Sequence, residues 1–285
     1  MVGVGRSGTT LLRLMLDSHP ELAIPPETGF VPELIEACEE SARPKRLLKV
    51  ITEHRRWGDF GVTEDELLLR FRQIKPPEAG DIVRAFYEAY AEKEGKPRWG
   101  DKTPGYTVHM ETIAGALPEA RFVHIIRDGR DVALSRTKQL SLRPKTVPDV
   151  AKRWRKRVRE ARRQGGRIPH YLEVRYERLV AEPEPVLQEI CEFIELDFDP
   201  VMLSYHEHAS ERLSELRRDI PAWRTRPPRS AEKRLALHTR TAKPPDTQRI
   251  GRWREEMSAD DVAGFEREAG DVLEELGYEL AAPTS

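Results

Sequence analysis

At 285 residues, with 34% charged side chains and a formal net charge of −1, the chain can bury a sizeable core and carries no overall basic bias toward nucleic acid. Its two cysteines, Cys38 and Cys191, lie far apart in apolar helical patterns, and no apolar run approaches the ~18–20 residues of a membrane helix; this excludes a disulfide framework, a cysteine metal site and a membrane span. No signal peptide is visible, so the expectation is a cytoplasmic protein with reduced thiols.

The first ten residues, Met1-Val-Gly-Val-Gly-Arg-Ser-Gly-Thr-Thr10, read as a strand over 2–5, a glycine turn and the start of a helix. Gly3 and Gly8 stand where G-x-x-x-x-G-K-[ST] places its two glycines, and Thr10 matches the final hydroxyl, but Thr9 replaces the lysine. Such a loop keeps a backbone cradle for phosphate and loses the side chain that reaches the β- and γ-phosphates of a nucleoside triphosphate. Gly5 and Gly8 permit close approach of the backbone to oxygen, Arg6 adds charge, and Ser7, Thr9 and Thr10 add hydroxyls to the amides of a helix N-terminus. The alternative is an ordinary ligand-free glycine turn, and the number of donors converging here outweighs it. Leu11, Leu12, Met15 and Leu16 dock the helix on a sheet, and His19-Pro20 ends it.

Further strands are expected over 21–24, 98–101, 121–126 and 171–175, with helical patterns between them. That alternation predicts an α/β fold: three layers, a central, mostly parallel sheet of about five strands, and helices on both faces. Phe122–Ile126 is nearly all apolar and fits the centre of the sheet. Residues of about 30–97 form a helical insertion. In it Thr63 and Glu66 make a capping box, and Gly95 and Pro97 close another helix. Residues 148–163 form a basic helix, best read as a solvated face and alternatively as an anion patch. Helices are also expected at 183–195 and at 260–276, the latter closed by Gly277. The Arg- and Pro-rich stretch 217–245 reads as a long surface loop, and about 205–248 as a lid beside an acceptor. The whole of 1–285 is expected to be one domain.

The expected central strand runs into Arg127-Asp-Gly-Arg-Asp-Val-Ala-Leu-Ser135. An arginine at a strand's C-terminal end, with a hydroxyl two helical turns on, suits a phosphate monoester. The alternative is an ion pair of Arg127 with Asp128 or Asp131. Beside the first loop, a second phosphate site implies one ligand with two separated phosphate groups, the pattern of 3′-phosphoadenosine 5′-phosphosulfate (PAPS).

Gly5-Arg-Ser-Gly-Thr-Thr-Leu-Leu12 resembles the 5′-phosphosulfate loop of the PAPS-dependent sulfotransferases, and 127–135 resembles their 3′-phosphate motif. Arg175-Tyr-Glu-Arg-Leu-Val180 is similar to the segment whose tyrosine, here Tyr176, lies near the 3′-phosphate. Arg249-Ile-Gly-Arg-Trp253 is similar to the segment that closes over the nucleotide, which makes Arg252 a further contact. The chain is most like tyrosylprotein sulfotransferases and their bacterial relatives. That resemblance places a catalytic glutamate at Glu27, after Pro25-Pro26, and a catalytic lysine at Lys102, in Trp99-Gly-Asp-Lys-Thr-Pro104.

The resemblance implies PAPS as donor and adenosine 3′,5′-bisphosphate (PAP) as product, without a metal. Glu27 would be the general base. Lys102 and Arg6 would stabilise the leaving charge. Gly5, Arg6, Ser7, Gly8, Thr9, Thr10, Arg127, Ser135, Tyr176 and Arg252 would hold the donor. The acceptor would be a hydroxyl of a small molecule, a carbohydrate or glycolipid, or a peptide tyrosine; the arginines that hold an acidic peptide in those relatives fall on Gly29 and Glu33. Capping the next helix is the alternative role for Glu27, and pairing with Asp101 that for Lys102. His124 is expected in the core, and His109 is a lesser candidate for the base. The competing function is an ATP-using kinase of nucleotides or small molecules, with Asp101 as its one fair Mg²⁺ ligand.

Overall fold

The computed structural model describes residues 1–137, 146–224 and 226–281. The remaining positions, among them Thr225 of the expected lid and the last four residues of the expected 1–285 domain, lie outside the described residues. In chain order the elements open with β1 (Val2–Gly3), α1 (Thr9–Asp17), β2 (Leu22–Ala23) and the insertion helices α2 (Val31–Glu40), α3 (Pro44–Thr52), α4 (Glu64–Gln73) and α5 (Ala79–Lys93). There follow β3 (Arg98–Trp99), α6 (Met110–Ala116), β4 (Phe122–Ile126), α7 (Gly129–Thr137), α8 (Val147–Gly165), β5 (Tyr171–Arg175), α9 (Tyr176–Ala181) and α10 (Pro183–Phe193). Short turns of helix then lead through α11 (Ala209–Arg212), α12 (Ala231–Ala236) and α13 (Trp253–Glu256) to the long α14 (Ala259–Glu275).

Every strand pair is parallel. Among the described residues the five strands form two ladders, β1-β4-β5 and β2-β3, rather than the single sheet expected. Three of the strands are only two residues long, too short to continue a ladder, and the Met1 nitrogen donating to Asp101 O (2.6 Å) links the two parts. Alternation along β4 sorts the core. Val123 and Ile125 face α1, α9 and α10 together with Leu22 and Ile24. On the other side Phe122 joins the insertion helices, and Ile126 joins Val4 beneath α7, α8 and α14. The sheet is thus covered on both faces, as its apolar central strand requires.

Half of the capping box is formed: Thr63 Oγ1 accepts from Glu66 N (3.3 Å) at the start of α4, while the Glu66 carboxylate accepts from Arg70. Gly95 takes φ +68° just past α5, where an L-residue would be strained. Both cysteines are buried and free. The basic helix α8 faces acidic partners on α14: Arg155 and Arg159 both pair with Asp271, and Arg159 also with Glu275. These pairs are exposed and add little stability. Under them, α14 packs against the start of α7. A Cβ on Gly129 would come within 2.4 Å of the Phe265 ring and 2.6 Å of Trp154, so only glycine fits between them.

The stretch from 205 to 250 is less of a free loop than its composition suggests. Its arginines run into the insertion. Arg234 makes a buried double contact with Asp59 (Nη1 to Oδ1, 2.9 Å), Arg218 Nη1 donates to Gly58 O (2.7 Å), and Arg224 grips Glu33 with both terminal nitrogens (3.0 and 3.1 Å). From the insertion side Arg55 Nη2 donates to Pro227 O (2.9 Å), and the Trp223 ring meets His54 edge-on.

Candidate active site

The glycine turn leaves β1 at its C-terminal end and delivers the chain to α1. Ser7 N donates to Val4 O (3.0 Å), closing the turn, and Gly8 caps α1 with φ +93° and no side-chain cap, so the first-turn amides of the helix are open to an anion. The Ser7 amide is therefore spent within the turn, and its hydroxyl is what remains. Ser7 Oγ is buried with no partner among the described residues. Tyr176 lies against Gly8 so closely that a Cβ there would fall 2.4 Å from the ring. Gly5 faces Arg136, which donates to Gly5 O from Nε (3.3 Å) and Nη2 (3.1 Å) and fixes the loop from below.

The two phosphate motifs meet at Arg6. Its Nε donates to Ser135 Oγ (3.0 Å), and its carbonyl accepts from Arg127 Nη1 (3.3 Å). Arg127 also donates to Arg249 O (2.7 Å), contacts Asp131 (3.3 Å) and lies over the Tyr176 ring at 4.3 Å, while its Nε is buried with no partner among the described residues. The ion pair with Asp131 thus exists, but it uses only part of the guanidinium. Asp131 in turn accepts from the backbone nitrogens of Gly251 and Trp253 (both 3.0 Å), binding the C-terminal segment to this motif. Arg252 turns to Glu256 (2.5 Å), and it is Arg249, with Arg240, whose charge bears on Arg6.

Arg6 has no carboxylate partner among the described residues. Burial, and then the charges of Arg127, Arg240 and Arg249, push its proton affinity down. Four guanidiniums converging beside free helix amides, with Ser7 Oγ and Arg127 Nε unsatisfied, fit a ligand with more than one anionic group.

On the other side of the loop stands Glu27. Its Oε1 accepts from Lys102 Nζ (2.9 Å) and its Oε2 from Arg56 Nη2 (2.9 Å). It caps no helix: α2 has Phe30 at that position and no side-chain cap. Lys102 is buried, pairs with Glu27 rather than Asp101, and lies 3.5 Å from Thr10 Oγ1 at the end of the phosphate loop. Burial raises the proton affinity of Glu27, but Lys102 and Arg56 outweigh it and hold the carboxyl well below the usual range. Burial lowers that of Lys102, with Glu27 opposing. The Asp101 carboxylate accepts from Thr28 Oγ1 (2.8 Å), Tyr87 OH (2.9 Å) and Thr103 Oγ1 (3.2 Å), so it is already engaged and poorly placed to hold a cation.

Four titratable groups of this site were not singled out from the sequence. Arg56 comes from the insertion, His238 and Arg240 from the Arg/Pro stretch, and Arg249 from the quoted 249–253 segment, in which Arg252 was the expected contact. His238 is held neutral, lowered to about 3 by burial and then by Lys102, with Glu27 opposing. His124 is fully buried on β4, hydrogen-bonded at Nδ1 to Tyr171 OH (2.6 Å), with no partner for Nε2 among the described residues. His109 sits at the start of α6, near Arg157, Glu36 and Glu33. Of the two positions aligned with peptide-holding arginines, Glu33 pairs with Arg224, and Gly29 takes φ +76° beside His54. Among the described residues no cluster of three or more His, Cys, Asp or Glu is placed to hold a metal, and no helix is long and apolar enough to cross a membrane.

Residues 1–200 match the model of a family described as the sulfotransferase family. The chain is 28% identical over 216 residues to protein-tyrosine sulfotransferase 2 of Gallus gallus and 26% identical over 212 residues to protein-tyrosine sulfotransferase 1 of Danio rerio. Each match covers 72% of this chain but only 53% and 55% of the relatives' own lengths. Among solved structures, the sulfotransferase domain from the Synechococcus PCC 7002 olefin synthase has a similar fold, with TM-score 0.62 and 24% identity over 98% of this chain and 94% of that one.

Proposed function

The chain belongs to the sulfotransferase family, and from that premise we propose that it transfers the sulfuryl group of PAPS to an acceptor hydroxyl by in-line displacement, with Glu27 as general base. The observation that carries the reading is the convergence of Arg6, Arg127, Arg240 and Arg249 on the lysine-free loop, which suits a ligand charged at both its 5′ and 3′ positions. When bound, the donor supplies an electrophilic sulfur whose bond to the bridging oxygen breaks, with the electron pair going to the 5′-phosphate, as the acceptor oxygen bonds to sulfur.

The protein's part is positioning and charge stabilisation. Amides of Gly8, Thr9 and Thr10, with Arg6 and Ser7 Oγ, hold the 5′ end. Arg127, Ser135, Tyr176 and Arg249 hold the 3′-phosphate, with Arg252 beside Arg249. Lys102 stands between Glu27 and Thr10, so a short swing takes its ammonium from the carboxylate to the leaving oxygen. That swing frees one Glu27 oxygen to take the acceptor's proton, which later passes to solvent. The relatives' names make tyrosine a leading acceptor. The insertion at about 30–97 and the strap at about 205–248 would frame it, within one domain spanning 1–285.

Calorimetry with adenosine 3′,5′-bisphosphate tests the donor half: binding at least tenfold tighter than 5′-AMP supports it, and equal affinity overturns it. Transfer of ³⁵S from labelled PAPS to a tyrosine peptide or a phenol tests the chemistry.

A further inference from the structure

We propose that Arg56 is a positioning residue that restrains Glu27 until the acceptor arrives, so that the base works only with both substrates in place; this rests on the sulfotransferase reading above. The two oxygens of Glu27 are divided between two cations from opposite sides, Lys102 on Oε1 and Arg56 on Oε2, each at 2.9 Å. Each cation has a different route of release. Lys102 adjoins Thr10 and so answers to the donor. Arg56 comes from the turn after α3, on the side framed by the insertion and the strap, and so answers to the acceptor.

The segment around Arg56 is tied down: Gly58 O is bound by Arg218, the Asp59 carboxylate by Arg234, and the neighbouring Arg55 side chain binds Pro227 O. The Arg56 side chain, 20% exposed, reaches Glu27 from that anchored segment. The titratable groups bearing on Glu27 are Lys102, Arg56 and His238; the two cations favour its ionised form, and His238, held neutral by burial, adds charge only in acid. With the donor bound and Lys102 drawn away, Arg56 still lowers the basicity of Glu27. A water molecule is then a poor substitute for the acceptor, because it brings no group to draw Arg56 off the carboxylate. An acceptor with a hydrogen-bond-accepting group beside its hydroxyl does.

The test uses ¹³C-glutamate-labelled full-length protein, with E27Q to assign the Glu27 resonance, and R56Q, R56M and R56K. In the free wild type Glu27 titrates well below the ordinary carboxylate range. In R56Q and R56M its midpoint rises by at least about one pH unit, as loss of an adjacent opposite charge requires, and R56K restores it. In parallel, hydrolysis of ³⁵S-labelled PAPS without acceptor rises at least threefold in the two neutral variants and not in R56K. An unmoved Glu27 midpoint, or unchanged hydrolysis in a neutral variant that still binds adenosine 3′,5′-bisphosphate, overturns the restraint alone. A wild type that binds no adenosine 3′,5′-bisphosphate overturns the sulfotransferase reading and this inference with it.

Discussion

Arg6 holds φ +83°, a left-handed conformation that a branched-chain or long side chain adopts at a cost of roughly 1–3 kcal/mol. That strain places the guanidinium where both phosphate motifs meet. Arg6→Gly should therefore separate stability from function: the urea midpoint rises, by about 1 kcal/mol in unfolding free energy. Affinity for adenosine 3′,5′-bisphosphate meanwhile falls by ~10-fold or more with the loss of charge-assisted hydrogen bonds. A variant that loses stability as well would place the role of Arg6 in the fold. Glu27 gives the complementary case. Glu27→Gln keeps the shape of the side chain and removes the base, so kcat should drop by ~100-fold or more with donor affinity nearly unchanged, measured by ³⁵S transfer and calorimetry. Retention of more than about a tenth of kcat would remove Glu27 as the base and direct attention to His238.

Among the elements, the strap from 205 to 250 is tied to the insertion in part by the buried Arg234–Asp59 pair. The side chains of Arg234 and Asp59 are 5% and 1% exposed, and removing one partner strands the other in a site of low polarity. Arg234→Ala should cost about 3–5 kcal/mol in urea unfolding, while Arg234→Met together with Asp59→Leu recovers most of it. Recovery that fails would point to the Arg234 bond to Arg218 O instead. This element also marks the limit of what the sequence discloses. Strand positions were legible where a short, largely apolar run lies between turn residues, as in β1, β2 and β4, and β4 and β5 match their expected spans to within a residue. The phosphate loop and the 127–135 motif were legible because consecutive residues carry them. The strap was not. Its arginines have no periodicity, and their partners Asp59, Gly58 and Glu33 lie about 160–190 residues away, so nothing local marks Arg234 as buried or Arg224 as paired. Arg56 and His238 escaped notice for the same reason, since each gains its meaning from Glu27 across the site.

For the molecule as a whole, acid sensitivity should come from histidines. Burial is the leading cause of depression in all three cases: His124 and His238 are lowered to about 3 and His54 to about 4. An unfolded chain protonates these rings near 6.5, so below that pH the unfolded state binds more protons and stability falls as pH drops. The contribution is complete above about 6.5 and is lost progressively down to about 3–4. Melting temperature should decline from pH 6.5 to 4.5, and His124→Gln should flatten the decline; a flat wild-type profile would mean these rings are hydrated. The glycine at the head of α7, wedged between Trp154 and Phe265, bears on how this protein is handled at the bench. Phe265 lies well past residue 200, where the match to the family ends. A gene trimmed to the shared portion would encode the glycine loop and the 127–135 motif but would lose Arg249 and the Phe265 half of the keel beneath Arg127, and its product should be recovered as aggregate rather than as a minimal enzyme.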